Sequence, residues 1–301
     1  MNKRKIFLLS AIAILALVYI LQLVFSNRTQ IKDFNLEGNP DQIVITRGIN
    51  GEKTVLSKTE GKWLINESKY PADANAVENI LNDMKSIRVL DTVSKNGDDE
   101  RYGLNDNNAL FVTLSEKGKE LRTVKIGKSA ATGQQSYITL DNDKAIKLVS
   151  GNLLSNASVS VDDLRDKNVY ALNVSDIMKI SVTTKDINYE IAKVGEPSVW
   201  TLVSQNGKSI QDGKLNIEKV NSWVAGLTNL RVQSFASENT KLPSYSLVNM
   251  TMTVQNREIN VAVYESDEEG KYLILCSEIP YAFFVSSYTG EKFIKALKDL
   301  Q

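Results

Sequence analysis

The chain has 301 residues, 42% hydrophobic and 24% charged, the balance of a folded globular protein and not of a disordered tail. Its 36 basic residues match 36 acidic ones, so the basic excess of a nucleic-acid binder is missing and no nucleic-acid partner is expected. A single cysteine excludes an internal disulfide framework, and the lack of any histidine removes Ser-His-Asp and Cys-His catalysis and His-ligated zinc.

Ile6 to Phe25 is a run of 20 residues without a charge. As a helix it would reach about 30 Å, the thickness of a bilayer's hydrocarbon core. Lys3, Arg4 and Lys5 precede it, which by the positive-inside rule keeps the N-terminus cytoplasmic and sends the remainder outside. The expectation is a single-pass membrane protein with residues 1–5 as a basic tip and 6–25 as a transmembrane anchor in contact with lipid. Residues 26–40 would then form a stalk. A cleaved signal peptide is the competing reading. Its apolar core is normally shorter and ends at small residues, whereas this run ends in Val24-Phe25-Ser26-Asn27. A lipoprotein signal would need a cysteine at the cleavage point, but the cysteine is Cys276.

Beyond the stalk, Gln42 to Thr46 and Thr54 to Ser57 read as strands rich in β-branched residues, and Trp63-Leu64-Ile65 continues the meander. Tyr70-Pro71-Ala72-Asp73 is a turn in which Asp73 or Asn75 can cap a helix. That helix carries Val77, Ile80, Leu81, Met84 and Ile87 on one stripe. Arg88 to Val93 follows as a strand, and a charged loop from Lys95 to Arg101 leads into Tyr102-Gly103-Leu104. Hairpins are predicted for Ala109–Leu114 with Leu121–Ile126, and for Tyr137–Leu140 with Ala145–Val149. The charged segment Val161 to Asn168 is the joint before a second half.

That half repeats the first. Ile180-Ser181-Val182-Thr183 echoes Ile43-Val44-Ile45-Thr46, and Trp200 echoes Trp63 at the same offset. The helix recurs as Ile217, Val220, Val224 and Leu227 with Asn216 as its cap. Met250 to Val254 stands for Leu110 to Leu114. The order of elements therefore predicts an internal duplication, with one α+β unit over 41–168 and a second over 169–301. Each unit is expected to be a mainly antiparallel sheet with a helix on one face.

Trp63, Pro71-Ala72-Asp73, Tyr102-Gly103-Leu104, Ile126-Gly127, Thr132-Gly133 with Tyr137, and Leu164-Arg165-Asp166-Lys167 resemble, in order and spacing, a bacterial family labelled as a domain of unknown function (DUF4340). Members are single-span proteins often encoded beside ABC transporters of the gliding-motility type and described as auxiliary components. The resemblance implies a bacterial cell-membrane location, ABC transporter subunits as partners, and no catalytic residues to carry over. The second half lacks a Tyr-Gly-Leu and a Leu-Arg-Asp-Lys.

The remaining motifs read as structural. Gly127-Lys128-Ser129 lacks the glycine a phosphate loop needs five residues upstream, where Arg122 stands. Asp141-Asn142-Asp143 is a turn without the glycine and distal glutamate of a calcium loop. Asp98-Asp99-Glu100 and Asp267-Glu268-Glu269 are solvated acidic loops. Cys276, within Tyr-Leu-Ile-Leu-Cys, is a small core residue. Trp63 and Trp200 are core plugs, with sugar stacking as the alternative, and Arg88 and Arg231 are expected to pair with acids on the sheet, with contact to a partner as the alternative. Sequons at Asn66, Asn156, Asn173 and Asn249 would matter only in a glycosylating host.

No catalytic, cofactor-binding or metal-binding residue is assigned, and no cofactor is expected. The resulting expectation is a non-enzymatic accessory or scaffold protein of a membrane complex, auxiliary to an ABC-type transporter and displayed on the extracytoplasmic face. The alternatives are an envelope glycan- or lipid-binding module and a carboxylate-based hydrolase.

Overall fold

The computed structural model describes residues 11–20, 31–95, 97–237, 239–255 and 257–301. Its contacts divide the chain into two compact units, Met1–Asp166 and Lys167–Gln301.

Residues 11–20 are helical and are labelled α1. This described part, ten residues at 1.5 Å each, covers about 15 Å, half of a hydrocarbon core. Among the described residues no helix is long and apolar enough to cross a membrane. This overturns the expected single-pass anchor over 6–25, and with it the placement of the chain across a membrane with lipid contact through that segment. Residues 6–10 and 21–25 of the apolar run, the basic tip and residues 26–30 of the stalk lie outside the described residues.

The expected α+β class is corrected as well. Of the described residues 45% are in strands and 20% in helices, and the fold is mostly antiparallel β. The reason lies in the length of the period-2 segments. They continue across the hairpins as long strands, while the 3.6-period signal amounts to one modest helix per unit.

In the first unit, β1 (Lys32–Asn35), β2 (Gln42–Arg47), β3 (Lys53–Thr59), β4 (Lys62–Ile65) and β5 (Tyr70–Pro71) lead into α2 (Ala74–Lys85). The chain returns through β6 (Ser86–Ser94) and the short α3 (Asp99–Tyr102). It then runs through β7 (Leu110–Glu116), β8 (Lys119–Ser129), β9 (Gln135–Leu140) and β10 (Ile146–Ser150), and ends in α4 (Leu153–Ala157) and α5 (Val161–Leu164). The ten strands form one sheet in the order β5-β4-β3-β2-β7-β8-β9-β10-β6-β1. Asp73 caps α2 by accepting the backbone N–H groups of Asn75 and Ala76 at 2.9 and 3.0 Å. The buried face of α2 is Val77, Ile80 and Met84, packed with Ile43, Leu56, Val112, Val124 and Ile138 of the sheet in a single apolar core.

The second unit begins with β11 (Asn168–Ala171), β12 (Ile177–Thr184), β13 (Asn188–Val194), β14 (Val199–Gln205) and β15 (Lys208–Gly213), followed by α6 (Ile217–Gly226). Then come β16 (Asn229–Arg231), β17 (Ser234–Phe235), β18 (Val248–Val254), β19 (Arg257–Glu265), β20 (Lys271–Cys276), β21 (Phe283–Ser286) and α7 (Ser287–Glu291). Nine of the strands run β15-β14-β13-β12-β18-β19-β20-β21-β17, the strand order of the first unit over again. The correspondence extends to the edge. Where β6 is one strand between β10 and β1, its counterpart is broken into β16 and β17, so β11 pairs with β16 apart from the main sheet. Backbone bonds bridge the break, from Val232 N–H to Lys167 O and from Gln233 N–H to Phe284 O.

Asn216 caps α6, whose buried face includes Trp223, and the Trp223 Nε1–H donates to Lys292 O at 2.7 Å. A buried indole N–H finds a backbone acceptor here, so a third tryptophan helps lock the helix to the C-terminal segment.

Candidate functional site

The family motifs converge into two structural clamps in the first unit. Gly103 follows α3 in the left-handed region at φ +71°, which turns the chain so that Leu104 is fully buried. Gly127 on β8 lies against this turn so closely that a Cβ there would sit 2.2 Å from Tyr102 O. The Tyr102 ring packs on Tyr137, centroids 4.7 Å apart, and Lys125 reaches Asp106 at 2.8 Å and Asp99 at 3.5 Å. Tyr-Gly-Leu, Ile-Gly and Tyr137 are thus one contact. The second clamp joins Pro71-Ala72-Asp73 to Leu164-Arg165-Asp166-Lys167. Asp73 N–H donates to Leu164 O and Asp166 N–H to Pro71 O, both at 2.8 Å, with Arg165 stacked 3.8 Å over the Tyr70 ring.

The other sequence candidates are dispersed. Gly127-Lys128-Ser129 is the end of strand β8, and Ser129 hydrogen-bonds Asn152 at 3.1 Å. Asp141 accepts the Thr123 N–H, while Asp143 pairs with Lys147 and accepts the Ala145 N–H, so the carboxylates are spent on the turn. That hydrogen bond from Lys147 holds the Asp143 carboxyl below its ordinary range. Asp99 serves Lys125, and Glu268 pairs with Lys271 at 2.6 Å. The described residues hold no cluster of three acidic, Cys or His side chains able to bind a metal ion. Trp63 and Trp200 take matching places opposite Lys58 and Lys193. Trp63 is half-buried against the core, and Trp200 is only 4% exposed. Arg88 and Arg231 are exposed, and neither forms an ion pair among the described residues.

The most strongly shifted titratable groups, Tyr170, Tyr189 and Cys276, sit in the core of the second unit. Burial raises the Tyr170 and Tyr189 phenols, and the latter donates to Lys295 O at 2.7 Å. Burial in α2 raises Asp83, partly countered by its hydrogen bond from Asn156. Burial also pushes the Cys276 thiol from 9.0 to about 11. Since the thiolate is the nucleophile, Cys276 is expected to resist iodoacetamide at pH 8 in the native protein and to react promptly in urea. Equal labelling rates in the two conditions would contradict its burial. The raised value also stabilises the fold fully below about pH 9, a contribution lost as the pH rises through about 11.

The second unit carries a cleft of about 1410 Å³. It is lined by the tip of the β12–β13 hairpin (Thr183 to Ile187) and the end of β19 (Tyr264, Glu265). One wall is Ile294-Lys295-Ala296, and the lip is Leu242 to Leu247. The Tyr245 side chain is 88% exposed on that lip. Sequence reading passed over this lip because it has no hydrophobic period. Its one signal is the long stretch without regular structure from 239 to 247 that precedes the well-patterned strand β18.

A two-unit antiparallel β protein, with one strand order used twice and an open cleft in one unit, is the class these observations define. Residues 63–250, well over half of the chain, match the family described as Domain of unknown function (DUF4340), and the chain belongs to that family. No curated protein and no solved structure matches it.

Proposed function

We propose that this protein is a non-catalytic accessory component of a membrane transport assembly of the ABC type, of the gliding-motility kind, and acts by docking partner subunits. The observation that carries the reading is where the perturbed groups lie. Functional chemistry gathers shifted acids, bases and nucleophiles in a cleft. Here Cys276, Tyr170 and Tyr189 are held neutral within the second core, and Asp83 lies on α2.

A glycan-binding module built on the paired tryptophans finds little support, because Trp200 is buried and Trp63 packs on its core. Affinity purification of the full chain from its host in mild detergent tests the leading reading. ABC permease and ATPase subunits are expected to co-purify in stoichiometric amounts, and recovery of the chain without them would refute it.

A further inference from the structure

We propose that the cleft of the second unit binds a neutral saccharide, a reading independent of the transporter assignment. The first argument is the contrast between two units of one strand order. In the first unit, the β2–β3 hairpin is closed down by the segment that follows α3. Gly48 N–H donates to Ala109 O and Ile49 N–H to Asp106 O, both at 2.8 Å, and a Cβ at Gly48 would meet Asn107 O at 2.6 Å. Arg47 then crosses to hydrogen-bond Ser158, and the space left is about 590 Å³. In the second unit Thr184 stands in the place of Arg47. Among the described residues no backbone hydrogen bond joins the β12–β13 tip to the Leu242–Leu247 lip. The same location is there open to about 1410 Å³. Drug-sized ligands occupy roughly 300–1,000 Å³, so the cleft has room for several sugar rings.

The chemistry of the lining selects the ligand. Lys185 and Lys295 are offset by Asp186 and Glu265, so neither a polyanion nor a polycation gains net attraction. Among the described residues Asp186, Glu265, Thr183 and Ser244 make no side-chain hydrogen bond or ion pair. They leave hydroxyls and charged acceptors ready for a ligand rich in O–H groups, and bonds to the carboxylates are the stronger charge-assisted kind. The Tyr245 and Tyr264 rings offer flat apolar faces with a polar end. A pyranose has matching parts, a C–H face and a rim of hydroxyls. An extended peptide would lack a main-chain ladder here, because β12, β18 and β19 are each paired on both sides.

The test is titration of the full chain with cellohexaose, maltohexaose and chitohexaose. It is run beside a random-peptide array and vesicles of anionic phospholipid. At least one neutral oligosaccharide is expected to bind, with affinity unchanged between 50 and 500 mM salt as conditions and weakened about tenfold or more by Tyr245→Ala. Glu265→Gln should weaken it further. Tyr245 is almost wholly exposed, so its replacement leaves the fold intact. No binding by any of the three, binding that Tyr245→Ala leaves unchanged, or binding confined to the peptides or the vesicles would overturn the assignment. None of these results bears on whether transporter subunits co-purify.

Discussion

Arg122→Met is expected to lower stability by about 3 kcal/mol, because three backbone carbonyls lose their donor at once. Arg122 lies on β8, only 6% exposed, and its Nη1 donates to Phe34 O at 3.1 Å, Met84 O at 2.9 Å and Lys85 O at 3.0 Å. Two of those acceptors belong to the last turn of α2, where carbonyls have no partner within the helix and the dipole's negative pole lies. A sheet residue therefore caps the helix and ties β1 to it. Burial depresses the guanidinium pKa, countered by the nearby Asp141, yet the group stays charged. Arg122→Lys keeps the charge without the planar fork and should lose less, about 1–2 kcal/mol. Urea unfolding of the full chain measures both. Hydrogen exchange should show the α2 amides opening first in the methionine variant. A methionine variant within 0.5 kcal/mol of the parent, a margin typical of surface substitutions, would remove the cap from the account.

Gly127→Ala is the second large effect, also about 3 kcal/mol, and arises from overpacking instead of lost bonds. The added Cβ would sit 2.2 Å from Tyr102 O, 2.9 Å from Leu104 Cγ and 3.2 Å from Gly103 C. Two of these are backbone atoms of a turn that cannot retreat easily. Gly103 holds it at φ +71°, and a Cβ on Gly103 would itself be 3.0 Å from Lys128 N. The strand and the turn are packed backbone to backbone, so relief requires moving α3 and separating Tyr102 from Tyr137. Thermal unfolding, together with NMR shifts of the two tyrosine rings, reports both consequences. Unchanged stability with unmoved rings would show that the clamp yields cheaply.

This clamp shows how unevenly the candidate sites were legible. Tyr102-Gly103-Leu104 and Ile126-Gly127 stand out as residue types, but nothing in their spacing says that they touch. Their contact depends on β8 lying beside α3, which is a product of sheet order. The cleft was less visible still. Thr183, Tyr245 and Lys295 come from three distant segments, and the lip carries no period to mark it. The transmembrane reading failed for another reason. Hydropathy of Ile6 to Phe25 reports how greasy a stretch is, whereas among the described residues no helix is long and apolar enough to cross a membrane.

What the amino-acid order determined alone was local. Asp73 and Asn216 as caps, the Val77-Ile80-Met84 stripe, alternation along β7 and β18, and the second appearance of the first half all follow from short-range periodicity and capping chemistry. Which strands became neighbours, the bulk of the fold being antiparallel β, the cap that Arg122 places on α2, and one unit closing where the other stays open were decided by tertiary packing. Those features rest on contacts between residues far apart in sequence, such as Arg122 with Met84 and Gly48 with Asn107. No local pattern encodes them, because each exists only once the whole sheet has formed.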